Sequence, residues 1–377
     1  MDPLRSLLVD LVAIDSVNPS LVPGARGEGE IAAALAAVCR DAGLAVTMQE
    51  VAPGRPNVMA LLEGRTPGRT LMFCGHMDTV GVAGMDVPFA PREREGRLYG
   101  RGAQDMKGGL AAMVDATRHL AASGGLERGR LVLACVVDEE HGSLGADALV
   151  KDWRADACVV TEPTDLAIGI AHKGFAWIEV ETAGVAAHGS RPEDGRDAIL
   201  GMGRVLAALA SLDAELQQGA RHPRLGCASL HASTIEGGTE WSTYPDRAVL
   251  CYERRTLPGE AASAPLLEAQ GILDAARRLD PGLRATARLV FARAAYEIDE
   301  RAEIVQALRA STVAIGRPAP LTGTSFWTDA QITAAAGIPS VVFGPGGSGL
   351  HSTEEYVSLD EVAACRDVLV DLAKRFC

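Results

Sequence analysis

Four short runs of apolar residues limit what this chain can fold into more than any other feature of its sequence. They are "RTLMFCG", "RLVLACVVD", "ACVVTE" and "IPSVVFG", which begin at residues 69, 130, 157 and 338. Strands that are apolar throughout are buried on both faces, as parallel strands covered by helices are. Segments of helical periodicity at 28–42 and 107–121 alternate with these runs, and Ser358 with Glu361 predicts a capping box at the start of the last helix. We therefore predict an α/β fold with a mostly parallel sheet.

The pattern changes near residue 174. Strand-like segments and two helical segments follow one another in the order β-α-β-β-α-β, from "GFAWIEVETAG" to "ATARLVFARAAYE". This is the order of a ferredoxin-like α+β domain. The α/β pattern returns after about residue 292, and a chain of 377 residues is longer than one hydrophobic core usually supports. We predict a larger α/β domain formed by residues 1–173 and 292–377, with a smaller domain of residues 174–291 inserted into it.

Acidic residues and histidines follow the apolar runs. His76 and Asp78 come after the first run, Glu139 and Glu140 after the second, Glu162 after the third and His351 beyond the fourth, while Asp105 follows the strand-like "RLYG". In such sheets the carboxyl ends of the strands meet at one edge. Carboxylates gathered there would repel one another strongly unless cations neutralised them. The sequence therefore predicts a cation site at this edge.

The residue types at these positions suit a pair of metal ions. Asp105, Glu140 and Glu162, taken as ligands with a bridging hydroxide, carry four negative charges, which two divalent ions balance. Mixed histidine and carboxylate ligands favour Zn²⁺, with Co²⁺ and Mn²⁺ as alternatives. His141 is a further imidazole that can compete as a ligand. Asp78 lies two residues after His76, so it can stand beside that ring, and a carboxylate that accepts the second ring N–H makes the imidazole a better ligand.

Several longer motifs extend this pattern along most of the chain. They are "GHMDTV", "GRGAQDMKGG", "DEEHGS", "TEPT", "AHGSRPEDGRDAI", "ERRTLPGE" and "LHSTEEYV". Their order resembles that of the M20 family of metallopeptidases and deacylases, which includes acetylornithine deacetylase and succinyl-diaminopimelate desuccinylase. The resemblance implies a zinc-exopeptidase-like catalytic domain in which Asp105 bridges two metal ions. It implies that His76 and Glu162 are the other ligands of the first ion and that Glu140 and His351 are the other ligands of the second. It also implies that Glu139 is the general base and that Asp78 supports His76.

The resemblance also gives functions to the inserted domain, as a lid and a dimerisation surface. His188 would stabilise the oxyanion, typically in the active site of the partner subunit, and Arg255 would hold the substrate carboxylate. Ser242 stands where asparagine is frequent in the family, so that substrate contact departs from the family pattern. Thr324, in the loop "LTGTSFWTDA", is predicted to line the substrate pocket.

These features predict an amidohydrolase that removes the acyl group from an N-acyl amino acid. A dipeptidase or carboxypeptidase with the same residues is the first alternative, and a catalytically silent protein that binds amino-acid conjugates is the second.

A net charge of −13 argues against a nucleic-acid partner, and the sequence has no apolar run of the roughly 18 residues that a membrane span needs. The eight cysteines are scattered, which favours reduced thiols in the cytoplasm. We expect a small-molecule substrate and a homodimer formed through the lid domain.

Overall fold

A computed structural model describes residues 2–377, and this part of the chain divides into two compact units. The first unit contains the chain up to Ile170 together with Ile298–Thr322 and Thr328–Cys377. The second contains Ala171–Glu297 and Gly323–Trp327. The domain boundaries placed at residues 174 and 292 stay predictions. No helix within residues 2–377 is both long and apolar enough to cross a membrane.

The secondary structure mixes helices and strands along the whole described chain. The helices are α1 (Pro3–Ala13), α2 (Gly29–Asp41), α3 (Gly108–Ala122), α4 (Leu144–Asp152), α5 (Ala198–Gln218), α6 (Ala264–Leu279), α7 (Glu303–Ala314), α8 (Ala330–Ala335) and α9 (Leu359–Phe376), with a π-helical turn at Ala103–Lys107. The strands are β1 (Ala45–Ala52), β2 (Arg55–Glu63), β3 (Thr66–His76), β4 (Arg92–Arg94), β5 (Arg97–Tyr99), β6 (Arg128–Val136), β7 (Ala157–Val160), β8 (Ile168–His172), β9 (Gly174–Ala183), β10 (Arg221–His222), β11 (Gly226–Cys227), β12 (Ser229–Gly237), β13 (Arg247–Thr256), β14 (Arg284–Arg293), β15 (Tyr296–Glu297), β16 (Leu321–Thr324), β17 (Ser340–Val342), β18 (Gly347–Ser348) and β19 (Tyr356–Ser358).

The first unit is built around a mixed sheet in the order β1-β2-β6-β3-β7-β17-β8. The central pairs β6–β3, β3–β7 and β7–β17 are parallel, and the outer pairs are antiparallel. Its central strands are the four apolar runs of the sequence, and residues such as Phe73, Leu133, Val159 and Val341 are fully buried. The predicted α/β fold with a largely parallel central sheet is confirmed. A smaller antiparallel sheet in the order β18-β19-β5-β4 completes this unit.

The last helix begins as predicted but uses its capping residues differently. The Ser358 side chain accepts a hydrogen bond from the Glu361 N–H at 3.4 Å. In a full capping box Glu361 would in return accept the Ser358 N–H, but that N–H donates to the Gly346 carbonyl at 2.9 Å. The Glu361 carboxylate instead accepts the Gly346 N–H at 2.7 Å. The helix start is therefore tied to the preceding loop.

The second unit contains an antiparallel sheet in the order β12-β13-β9-β14, with α5 and α6 between its strands in the chain. The strand and helix order is β-α-β-β-α-β, interrupted by the short hairpin β10–β11. Along β9 and β13 the burial alternates strictly between residues, so one face of the sheet is covered and the other is partly open. The covered face forms a separate core that includes Ile178, Leu250 and Met202.

Candidate metal centre

Three neighbouring parallel strands place ionisable side chains at one edge of the main sheet. His76 is the last residue of β3 and lies beside Val136, the last residue of β6. Cys74 of β3 lies beside Val160, the last residue of β7. The segments that carry Glu139, Glu140 and Glu162 therefore leave the sheet next to His76. This is the edge at which open α/β sheets bind their ligands.

Asp105 and His351 reach the same place from the small antiparallel sheet. Asp105 lies in the π-helical turn after β5, and His351 lies in the loop between β18 and β19. Strands β5 and β19 are hydrogen-bonded neighbours, with Tyr99 opposite Tyr356. The expectation that all the strand ends belong to one sheet edge is therefore wrong for these two residues, because β5 pairs with the strand that follows His351.

The side chains of these segments meet within hydrogen-bonding or ion-pair distance. His76 Nε2 lies 3.1 Å from Asp105 Oδ1 and 3.5 Å from Glu162 Oε1. On the other side of Asp105, His351 Nε2 lies 3.4 Å from Asp105 Oδ2 and 3.1 Å from Glu140 Oε2. The two oxygens of Asp105 thus face two different imidazoles. This is the arrangement expected of a carboxylate that bridges two ions.

The electrostatics of the cluster are those of buried acids held close together. Burial raises the pKa of the Glu139 and Glu162 carboxyl groups well above the usual value, and repulsion from nearby carboxylates raises both further. Burial and the Asp105 charge raise the pKa of Glu140 to about 7. Hydrogen bonds to Asp105 and Glu140 raise the pKa of His351 to about 10. Each shift shows that this site favours added positive charge.

The donor set fits divalent metal ions. Two groups of three ligand atoms lie within 4.8 Å of one another, namely His76, Glu139 and Glu162, and His76, Asp105 and Glu140. Glu140 Oε1 is buried and has no hydrogen-bond partner among residues 2–377. Buried polar atoms are usually satisfied, so an oxygen of this kind indicates a ligand position. Histidine and carboxylate donors together suit Zn²⁺ and its neighbours in the transition series.

Asp78 makes contacts beyond the one that the sequence predicts. Its carboxylate lies 3.6 Å from His76 Nδ1, while its main-chain carbonyl lies closer to that nitrogen, at 3.0 Å. Asp78 Oδ1 accepts the Glu139 N–H and Oδ2 accepts the Glu140 N–H, each at 3.1 Å. The predicted hydrogen bond from the His76 ring to the Asp78 carboxylate is therefore replaced by one to the Asp78 main-chain carbonyl, while the Asp78 side chain fixes the main chain that carries both glutamates.

A buried polar network behind Asp78 was not foreseen from the sequence. Asn18 Nδ2 donates to Asp78 Oδ2 at 2.8 Å and to Asp138 Oδ1 at 3.2 Å. Arg55 donates to Asp138 at 2.9 Å and also pairs with Glu28. These residues lie far apart in the chain, and of Asn18, Glu28, Arg55 and Asp138 only Asp138 belongs to a motif quoted above, as the first residue of "DEEHGS". Only the folded structure brings them together.

The remaining predicted residues lie in the second unit. His188 is exposed, its Nδ1 lies 2.8 Å from Ser190 Oγ, and its main chain bridges to Thr243. Ser242 is adjacent, because its carbonyl accepts the Gly189 N–H at 2.6 Å. Thr324 is buried and its hydroxyl donates to the Phe326 carbonyl at 3.2 Å. The structure therefore places His188 and Ser242 side by side, with Thr324 in a different segment, at the end of β16.

Arg255 lies on the open face of the second unit's sheet. Its Nε donates to Glu253 Oε1 at 2.6 Å, and its guanidinium carbon is 5.5 Å from the centre of the Phe175 ring. The preceding residue, Arg254, points to the opposite face and is buried against Glu260 and Glu268. The predicted alternation of the two arginines is therefore present, and only Arg255 is accessible.

Comparison with known proteins gives the family. Residues 72–375 match peptidase family M20/M25/M40. The chain belongs to this family. It is 30% identical over 388 residues to an acetylornithine deacetylase of Myxococcus xanthus, covering 99% of this chain and 97% of that protein. The predicted family and the predicted enzyme class, a metal-dependent hydrolase, are confirmed.

Two solved structures of M20-type proteins share the fold. The aminopeptidase PepT of Bacillus cereus superposes with a TM-score of 0.81 at 23% identity, covering 99% of this chain and 98% of that one. The dinuclear metal-binding M20 peptidase YXEP of Bacillus subtilis superposes with a TM-score of 0.75 at 16% identity, covering 98% of this chain and 96% of that one. At these identities the likeness establishes the fold, which is that of M20 peptidases.

Proposed function

We propose that this M20 protein is a di-metal amidohydrolase that removes the acyl group from an N-acyl amino acid. The observation that carries the proposal is the cluster in which Asp105 faces His76 through one oxygen and His351 through the other. The similarity to an acetylornithine deacetylase over nearly the full length of both chains supports an N-acyl amino acid as the substrate class.

We assign His76, Asp105 and Glu162 to one ion, and Asp105, Glu140 and His351 to the other. When bound, two divalent ions, for which we propose Zn²⁺ with Co²⁺ or Mn²⁺ as alternatives, acidify a water molecule and polarise the substrate carbonyl. The orphaned Glu140 oxygen and the raised pKa values of Glu140 and Glu162 support this assignment.

Glu139 is the proposed general base. Its side chain is 10% exposed and lies beside the cluster, with Oε2 3.9 Å from His76 Nε2, and its main chain is held by Asp78. Because burial raises its pKa, the carboxylate is suited to take a proton from the attacking water and to return it to the leaving amine. His188 is proposed to donate a hydrogen bond to the oxyanion, and Arg255 to bind the substrate carboxylate.

A homodimer through the second unit is part of the proposal. Strand β12 lies at the edge of its sheet, and residues 231–237 of this strand are exposed. One of these residues, the large apolar Ile235, has 52% of its surface exposed. An exposed edge strand of this kind is available to pair with another chain, which supports contact with a second copy.

The substrate class is tested with a hydrolysis panel. N-acetyl amino acids, N-succinyl amino acids and unblocked dipeptides are incubated with protein loaded with Zn²⁺, Co²⁺ or Mn²⁺. We expect release of the free amino acid to be fastest from an N-acyl substrate. Faster cleavage of dipeptides with a free α-amine would identify a dipeptidase instead, and no turnover with any metal would favour the silent binding protein.

Replacing Asp78 by asparagine should lower activity without unfolding the protein. Asparagine keeps the shape but presents an NH₂ group to one of the N–H donors of Glu139 or Glu140. Groups that orient metal ligands typically change metal affinity or activity by about 10- to 100-fold when they are altered. We expect kcat to fall by that factor. Asp86, which is exposed and 3.6 Å from Arg92, gives the control Asp86→Asn, and equal activity of the two variants would contradict the role of Asp78.

Replacing Arg255 by glutamine should weaken substrate binding more than turnover. A hydrogen bond to a charged group contributes about 1.5–3 kcal/mol, so we expect KM to rise by about 10- to 100-fold. Substrates with an amidated carboxyl group should show a much smaller change. Arg288 is on the same open face and pairs with Glu179 at 2.7 Å, so Arg288→Gln is the matched control. A rise in KM that is the same for both variants would argue against a specific role of Arg255.

A further inference from the structure

Glu355 accepts an unusual number of hydrogen bonds from the segment that carries Asp105. It lies four residues after His351, and it is 1% exposed. Its Oε1 accepts the main-chain N–H groups of Gln104 at 2.9 Å and Asp105 at 3.1 Å. Its Oε2 accepts the Gly102 N–H at 3.0 Å and Arg101 Nη1 at 2.6 Å. The two oxygens of this one carboxylate therefore accept hydrogen bonds from four donors, all of which lie within residues 101–105.

The main chain and Arg101 add further links between the same two segments. The Gly100 N–H donates to the Glu355 carbonyl at 3.1 Å. Arg101 is also buried, and its Nη2 donates to the Ser352 carbonyl at 2.9 Å. Residues 100–105 and 351–355 are therefore joined by side-chain and main-chain bonds at once. These are the segments that hold Asp105 and His351.

The conformation of His351 shows why such an anchor matters. His351 has a φ angle of 58°, in the left-handed region that residues with a side chain rarely adopt. Such a residue persists where the surrounding structure holds it. Glu355 and Arg101 supply fixed points on the C-terminal side of His351, while the same two side chains fix the turn before Asp105.

We propose that Glu355 is a positioning residue that holds the Asp105 turn and the His351 loop in one arrangement, so that both ligands face the same metal ion. The inference rests on the proposed function in taking Asp105 and His351 as ligands. A neutral side chain cannot replace Glu355, because both carboxylate oxygens of Glu355 must accept hydrogen bonds from N–H donors. Glu355 touches neither substrate nor metal in this role and acts through Asp105 and His351.

The test is the metal affinity of Glu355→Gln. Glutamine keeps the length of the side chain but replaces one acceptor oxygen by an NH₂ group. Metal-free protein is titrated with Zn²⁺ in competition with a chromophoric chelator, and Co²⁺ absorption reports the ligand geometry. We expect the dissociation constant of the ion assigned to Asp105, Glu140 and His351 to rise about 10- to 100-fold, with a changed Co²⁺ spectrum. A purely structural role would lower the melting temperature of the metal-free protein and leave both readouts unchanged, which would overturn the inference.

Three further variants make the result decisive. Glu354→Gln is the matched control and should bind metal like the wild type. Glu354 is 73% exposed, and its ion pair with Arg94 is long, at 3.8 Å. Arg101→Lys keeps the charge but loses the two-pronged contact, and it should weaken the same ion by a smaller factor. If Glu355→Gln does not fold, Arg101→Lys becomes the test. An unchanged metal affinity of Arg101→Lys would then refute the inference.

His351→Ala separates this inference from the proposed function. If His351→Ala weakens metal binding while Glu355→Gln and Arg101→Lys do not, the positioning role is wrong and the ligand assignment stands. If His351→Ala binds two ions as tightly as the wild type, the ligand assignment is wrong, and the positioning role fails with it. Weaker binding by His351→Ala, Glu355→Gln and Arg101→Lys, with Glu354→Gln unaffected, supports both.

Discussion

Glu139→Gln should lower kcat by about 10²- to 10⁴-fold and leave two metal ions bound. Glutamine has the size of glutamate but cannot take a proton, so the attacking water and the leaving amine lose their proton carrier. The Glu139 main chain stays in place, because its N–H still donates to Asp78. The measurement is steady-state hydrolysis of the best substrate, with metal content determined by atomic absorption on the same sample.

Metal content is the decisive readout because the geometry also allows Glu139 to be a metal ligand. Glu139 also lies in a group with His76 and Glu162 whose ligand atoms fall within 4.8 Å of one another. If Glu139 is a ligand and not the base, Glu139→Gln will lose metal together with activity. The adjacent Glu140, 3.1 Å from His351, gives the matched comparison, since Glu140→Gln should lose an ion. Identical metal loss in both variants would contradict the separate roles proposed for these neighbours.

His188→Ala should lower kcat by about 10²- to 10³-fold, with folding and metal content unchanged. The ring is exposed in the second unit, and its Nδ1 contacts the Oγ and the N–H of Ser190 at 2.8 and 3.2 Å, so its removal disturbs little packing. The expected loss comes from one missing hydrogen bond to the oxyanion. His119 is exposed on α3 of the first unit, and His119→Ala is the control. Near-normal turnover by His188→Ala would remove His188 from the mechanism.

Mixing two inactive variants tests whether His188 acts across a dimer. If each active site combines Glu139 of one subunit with His188 of the other, a mixed dimer of Glu139→Gln and His188→Ala contains one intact site. Equal mixing should then restore up to about a quarter of wild-type activity in a twofold-symmetric dimer. No recovery after subunit exchange, or an active species that sediments at monomer mass, would show that each chain uses its own His188.

The main sheet and the candidate site residues at its edge were predictable because local sequence specifies them. A strand that is apolar on both faces, as β6 is from Leu131 to Val136, has few options other than the centre of a covered sheet. The parallel direction of β3, β6 and β7 then places His76, Glu139 and Glu162 at one edge, as their positions in the sequence indicate. Family M20 membership followed from the same residues and was confirmed by comparison.

The route by which Asp105 and His351 reach the site was not predictable in the same way. Strands β5 and β19 have three residues each and no long apolar run, so their pairing leaves little trace in the local sequence. The partners of Asp78 and of Glu361 were also misjudged in part. In both cases a main-chain N–H, of Glu139 or of Gly346, donates to a carboxylate that the local pattern had assigned to another partner.

The sequence by itself determined the kind of fold, the family and the residue types of the candidate metal centre, because apolar periodicity and strand ends are properties of short segments. Tertiary structure alone decided how those side chains are supported. Asn18 contacts Asp78, Arg55 contacts Asp138 and Glu355 contacts Asp105 across 60, 83 and 250 residues of the chain. Hydrogen bonds over such separations depend on the complete packing of the first unit, and no local pattern encodes them.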